Sequence, residues 1–165
     1  MTVDVEPAGY EEKATLRRLM QLYLYDFTEF APGEIAIDAQ GEFPYRYLDH
    51  YWAAAKGEQR HPFLIRVDGR LAGFALVRVV NAVAVMTEFF VMRQYRRTGA
   101  GTEAARAVFL RFPGKWVVHE LERNLPAQAF WRRAIAPVAL NGYEETREPD
   151  GAVTQRFEVR PPLDS

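Results

Sequence analysis

The sequence predicts an α+β fold with a mixed, mainly antiparallel sheet flanked by helices. Three observations lead there. Apolar residues near the N-terminus recur at helical spacing. Runs rich in Val and Phe, joined by hairpin signals, follow them. A basic, glycine-containing segment then separates a strand from a helix. With 165 residues, 48% of them hydrophobic, the chain suits one domain over residues 1–165 with one core.

Taken in order, Leu16, Leu19, Met20, Tyr23, Phe27 and Phe30 mark one helix face, predicting an amphipathic helix from about Glu11 to Phe30 that Pro32-Gly33 stops. Glu34 to Pro44 reads as loop, and a second helix is predicted over Tyr45 to Lys56, ending at Gly57. The period then changes. Phe63 to Val67 is a strand, Asp68-Gly69 is a type I′ hairpin signal, Leu71 to Val80 is the return strand, and Ala82 to Met92 is a third. Gly101 to Phe112 reads as a helix closed by Pro113-Gly114, and Lys115 to Glu120 as a strand. Asn124 can cap a helix running to about Ile135, with Pro126 tolerated in its first turn. Tyr143 to Glu148, the turn Pro149-Asp150-Gly151, and Val153 to Val159 form a last hairpin.

Composition removes several function classes. A net charge of −1 gives no global attraction to nucleic acid or anionic lipid, so neither is an expected partner. Cysteine is absent, which excludes disulfides, thiolate metal sites and a Cys nucleophile. His50, His61 and His119 match no metal spacing, and no metal is expected. No apolar run approaches the roughly 20 residues of a membrane helix. The start Met1-Thr2-Val3-Asp4-Val5-Glu6 lacks a basic, then apolar, stretch, so the expected location is cytoplasmic.

Chemistry concentrates in Arg93 to Thr102. A buried strand runs into Arg96-Arg97-Thr98-Gly99-Ala100-Gly101, and a helix starts there. A helix N-terminus presents unpaired N–H groups and partial positive charge, and glycines let backbone approach a phosphate. Arg93, Arg96 and Arg97 add charge-assisted donors. From Arg93 to Lys115, six basic residues stand against Glu103 alone, a net of +5. The natural guest is a diphosphate. Gly99-Ala100-Gly101-Thr102-Glu103-Ala104 also fits the dinucleotide pattern GxGxxA, with Glu120 ending the next strand. Against that, the preceding strand closes a run of hairpins instead of opening a βαβ unit, and only 45 residues follow Glu120. No Gly-Lys-[Ser/Thr] follows the glycines, which excludes a P-loop.

On these residues the sequence resembles the GNAT superfamily of N-acetyltransferases. Its [Arg/Gln]-x-x-Gly-x-[Gly/Ala] motif is met by Arg96, Gly99 and Gly101. Its later Asn-x-x-Ala-x-x-Phe-[Tyr] pattern is approximated by Asn124, Ala127, Phe130 and Trp131. The resemblance implies a single-domain fold of that family and acetyl-CoA as acyl donor. Backbone N–H groups of Arg97, Thr98, Gly99, Ala100, Gly101 and Thr102 would hold the pyrophosphate. Phe90 and Val91 would pair with the pantetheine arm like an added strand, and Asn124, Ala127, Phe130 and Trp131 would flank it. Asn124 has a second reading as a helix N-cap, compatible with the first. Homodimers are common in the family.

Trp131 departs from the pattern, because many members carry there a Tyr that can protonate the leaving thiolate. An indole N–H cannot do so at neutral pH. Tyr95 and Tyr143 are the available alternatives, and a thiol of pKa roughly 8.5 can also leave without an acid. Glu88 is the only charge from Ala82 to Met92. Two readings stand for it: a general base, direct or through water, with its pKa raised by burial, or a structural carboxylate. Two functions follow in turn: transfer of acetyl to an amine by direct attack in a ternary complex, or acyl-CoA binding without catalysis.

Asp26 to Asp49 carries six acidic residues against Arg46, a net of −5, with Phe27, Phe30, Phe43, Tyr45 and Tyr47 among them. Acids beside aromatic faces suit a cation, so a cationic small-molecule amine is the expected acceptor. The competing reading is a solvated loop beside core aromatics.

Overall fold

A computed structural model describes residues 1–53 and 55–162. The strands are β1 (Val3–Pro7), β2 (Glu58–Val67), β3 (Arg70–Val80), β4 (Val83–Val91), β5 (Gly114–Glu120), β6 (Ala139–Arg147) and β7 (Val153–Val159). The α-helices are α1 (Lys13–Phe27), α2 (Ala100–Arg111) and α3 (Leu125–Ile135). The strands form one sheet in the order β1-β2-β3-β4-β5-β7-β6. β4 and β5 are parallel, and every other neighbouring pair is antiparallel.

β3 lies near the centre, and Ala72 to Val77 are buried without interruption because helices cover both faces. Its alternation sorts the core into two. Ala75 and Val77 join the cluster under α2 and α3, while Phe74 and Leu76 join Leu16, Leu19 and Met20 of α1. The β2–β3 turn has Asp68 and Gly69 at φ 48° and 76°, as a type I′ turn requires. At Gly73 a Cβ would lie 1.9 Å from the Phe90 carbonyl oxygen, so the approach of β3 to β4 demands glycine.

Four expectations need correction. The first helix ends at Phe27 rather than Phe30, where Thr28 Oγ1 donates to the Tyr25 carbonyl and the chain continues as turns. The second predicted helix is a 3₁₀ turn over Leu48–Trp52, whose i,i+3 geometry is enough to bury Leu48 and Tyr51; Ala54, also inside that prediction, lies outside the described residues. β1 was not expected: its Val-Asp-Val-Glu alternation is short, and it gains order as an edge strand on β2. Finally, β4 does open a parallel crossover, β4–α2–β5, as well as ending the hairpins. No helix among the described residues is long and apolar enough to cross a membrane.

Candidate active site

The site begins with a parting of strands. β4 and β5 pair from Val83↔Lys115 only to Met86↔Val118. Beyond that point β4 continues to Val91 alongside β3, and β5 continues to Glu120 alongside β7. Among the described residues no strand takes over the β5-facing edge of Thr87 to Val91. A register shift falls at the same place: Leu76 pairs with Glu88 but Val77 with Met86, so Thr87 is the extra residue of a bulge. The bulge turns Thr87 and Glu88 toward the α1 side.

The basic loop closes the open end. Arg97 has φ 60° and Gly99 φ 92°, left-handed conformations that coil the chain into the start of α2. Thr98 Oγ1 donates to the Tyr95 carbonyl at 2.7 Å and accepts from the Ala100 N–H at 3.3 Å. Among the described residues no acceptor engages the N–H groups of Arg97, Thr98, Gly99, Gly101 and Thr102. A Cβ at Gly101 would stand 3.2 Å from Phe130 Cε2 and 3.8 Å from Val91 Cγ2, so the loop, the free end of β4 and α3 converge there. Phe130 stacks on Phe89 with centroids 5.7 Å apart. Asn124 caps α3 by accepting the Ala127 N–H at 3.1 Å.

The predicted arginines divide. Arg93 and Arg96 both pair with Asp26 of α1, Arg93 at 2.6 Å. Arg96 Nε also donates to the Val91 carbonyl at 2.7 Å. These two therefore fasten the loop to α1 and β4, and Arg97, exposed, is the one without such a tie. Burial would raise the Asp26 carboxyl, but Arg96 and Arg93 outweigh it and hold the pKa below the usual carboxylate value. Other acids of the N-terminal stretch are similarly engaged: Glu42 pairs with Arg17, Asp49 with Lys13, and Asp38 accepts the Gln40 and Glu42 N–H groups.

Glu88 and Phe90 project to the α1 side. Tyr23 donates to Glu88 Oε2 at 2.5 Å and Tyr45 to Oε1 at 3.3 Å. Burial pushes the Glu88 pKa up to about 7, although both phenols favour the ionised form. The same carboxylate and the burial raise the pKa values of Tyr23 and Tyr45, so both stay protonated donors. Glu88 keeps partial exposure, which leaves water a route to it. Tyr51 and Thr87 lie alongside, with hydroxyls that are sealed from solvent and face each other. Sequence reasoning placed the tyrosines in the aromatic stretch but had no signal joining them to Glu88.

Trp131 is 6% exposed and packs on Phe89 and Phe109, in the core. Tyr95 also packs against the core, and Tyr143 sits on β6 opposite Phe157. Glu120 is buried, accepts from Gln155 Nε2 at 2.7 Å, and is raised to about 7 by burial. Beyond β5 the sheet continues with the antiparallel strands β7 and β6, so the described residues lack the further parallel strands of a dinucleotide fold despite the parallel crossover.

Comparisons with known proteins bear on the family and the fold. The model of the acetyltransferase (GNAT) family matches residues 17–135. An acetyltransferase from Thermus thermophilus superposes with a TM-score of 0.69 at 15% identity, covering 96% of this chain and 98% of that one. An aminoglycoside acetyltransferase solved with coenzyme A gives 0.66 at 15%, over 96% and 95%. The Escherichia coli ribosomal-protein-S18-alanine N-acetyltransferase gives 0.62 at 14%, over 99% and 98%. No curated protein sequence matches the chain.

Proposed function

The chain belongs to the acetyltransferase (GNAT) family, and on that premise we propose that it moves an acetyl group from acetyl-CoA to a primary amine of a small molecule by direct attack in a ternary complex. The observation that carries this reading is the position of Glu88. It is a carboxyl of pKa about 7, held by two phenols, beside the bulge where β4 parts from β5.

The free edge of Thr87 to Val91 offers backbone groups to the amides of a pantetheine arm, and the unengaged N–H groups of Arg97 to Thr102 suit a diphosphate. Phe130, Ala127 and Asn124 flank that path from α3. An N–H near Phe90 or Val91 would stabilise the negative charge that develops on the thioester oxygen. The amine attacks the thioester carbon. The new N–C bond forms as the C–S bond breaks, the thiolate departs, and the amine proton passes to Glu88 directly or through water. A base near pKa 7 is about half ionised at neutral pH, which balances availability against proton affinity. With Trp131 in the core, thiolate departure rests on the thiol's own acidity, pKa roughly 8.5.

The burial of Trp131 also favours a second reading, acyl-CoA binding without turnover. A thiol-release assay over a panel of amines separates the two. Transfer predicts amine-dependent release, whereas a binder would retain acetyl-CoA and release none. For a homodimer, the expected mass in solution is twice that of the chain.

A further inference from the structure

Arg60 is a nearly buried cation without a role in the scheme above. It lies on β2 opposite Arg78, while Leu76, two residues earlier on β3, lies opposite Glu88. Two strand spacings of ~4.8 Å and two residues of ~3.4 Å rise put the Cα atoms of Arg60 and Glu88 about 12 Å apart, on the same α1-facing side. The Arg60 guanidinium stands 5.3 Å from the Tyr51 ring centroid and 6.0 Å from that of Tyr47. Tyr51, 4% exposed, turns its hydroxyl to that of Thr87, and Thr87 adjoins Glu88.

Charge here is unbalanced. Glu58 is shared by Arg78 and Arg60, and its contact with Arg60 Nε, 3.1 Å, lacks hydrogen-bond geometry. The Arg60 side chain is only 11% exposed and donates no hydrogen bond to a described residue. A nearly buried guanidinium beside two tyrosine rings, with its Nε turned to Glu58 and the Nη end of its fork free among the described residues, suits a carboxylate. Three of the six acids that would favour a cation are paired elsewhere: Asp26 with Arg93 and Arg96, Glu42 with Arg17, Asp49 with Lys13.

We propose that Arg60 forms the acceptor-recognition subsite, and that the acceptor is an amine carrying a carboxylate, an amino acid or a close relative. The amine faces Glu88 and the carboxylate takes the free end of the Arg60 fork. This deepens the acetyltransferase reading and rests on it. The products are an N-acetylated amino acid and the free thiol, and the amine proton leaves through Glu88.

The test uses matched acceptors with acetyl-CoA as donor: the L-amino acids, their carboxamides, and the corresponding amines lacking the carboxyl. The free acids should show kcat/KM at least tenfold above both neutralised forms. In Arg60→Met that ratio should fall tenfold to a hundredfold, mainly through KM, the scale of a lost charge-assisted bidentate contact. Arg60→Lys, which keeps charge but not the fork, should fall between. Equal or better turnover of carboxamides or of diamines, or an acid preference that survives Arg60→Met, would overturn the subsite. Absence of thiol release with every amine would instead count against the transferase reading. Titration of N-acetyl-L-amino acids into the CoA-saturated protein still decides the subsite in that case. Binding that is weakened in Arg60→Met supports it, and no binding overturns it.

Discussion

Replacing Glu88 by glutamine should change how stability responds to pH. Burial raises the Glu88 carboxyl from 4.5 to about 7, against the hydrogen bonds from Tyr23 and Tyr45. An acid with a folded pKa above its unfolded value favours folding while protonated. Its contribution is therefore complete below about 4.5 and is lost as the pH rises toward about 7. At 1.36 kcal/mol per tenfold, the two titrations integrate to about 2.5 kcal/mol between pH 5 and pH 8. Glu120 sits at about 7 as well and titrates in the same window, so the wild-type profile alone does not isolate Glu88. The difference between wild type and Glu88→Gln does, since Glu120 is common to both. Urea unfolding followed by tryptophan fluorescence, with Trp116 and Trp131 buried in the core, reads it directly. Wild type should lose about 2.5 kcal/mol more than the variant from pH 5 to pH 8. Parallel profiles would mean that Glu88 is not a raised acid, and the general-base argument would lose its physical ground. The kinetic counterpart is an acid limb near pH 7 in wild-type kcat/KM, absent in a variant whose kcat is roughly 10²–10⁴-fold lower.

Tyr23→Phe removes a donor that favours the ionised carboxyl, so the acid limb should move above 7; a limb that moves down or stays would contradict the hydrogen-bond assignment. Gly101→Asp brings a Cβ to 3.2 Å from the edge of the Phe130 ring, which can tilt, so the fold should persist. Acetyl-CoA affinity measured by calorimetry should nevertheless drop at least about a hundredfold, because a carboxylate then faces the diphosphate. Gly73→Ala places a methyl 1.9 Å from the Phe90 carbonyl oxygen, a backbone atom that cannot step aside. It should cost about 3 kcal/mol or more in urea denaturation, and an unchanged midpoint would refute the close approach.

What the sequence made legible was whatever local chemistry writes. Asp68-Gly69 declared its turn, Asn124 its helix start, and the Arg96 to Gly101 run its strand-to-helix bend, because each depends on a few adjacent residues. The second predicted helix failed because Leu48 and Tyr51 need only one 3₁₀ turn to bury, and no periodicity of 3.6 sustains more. The bulge at Thr87 has no sequence mark: it is a slip of pairing between two strands, yet it sets which residues share the face of Glu88. Partners distant in the chain were likewise hidden. Tyr23 and Tyr45 reach Glu88 across 65 and 43 residues. Asp26 was read as part of an acidic acceptor wall and Arg93 and Arg96 as phosphate ligands, whereas the fold joins them to each other. Arg60 drew no notice, since the tyrosines beside it are brought there by tertiary structure.

The most direct test of acetyl transfer to an amine at Glu88 is mass spectrometry of acceptor and protein together, after incubation with acetyl-CoA and the amine panel. Wild type should yield an acetylated amine with one thiol released per acetyl, while the mass of the protein stays unchanged at every time point. Glu88→Gln should bind acetyl-CoA and accumulate product far more slowly. Bound acetyl-CoA with no acetylated amine, or an acetylated protein that precedes product, would contradict direct transfer at this site.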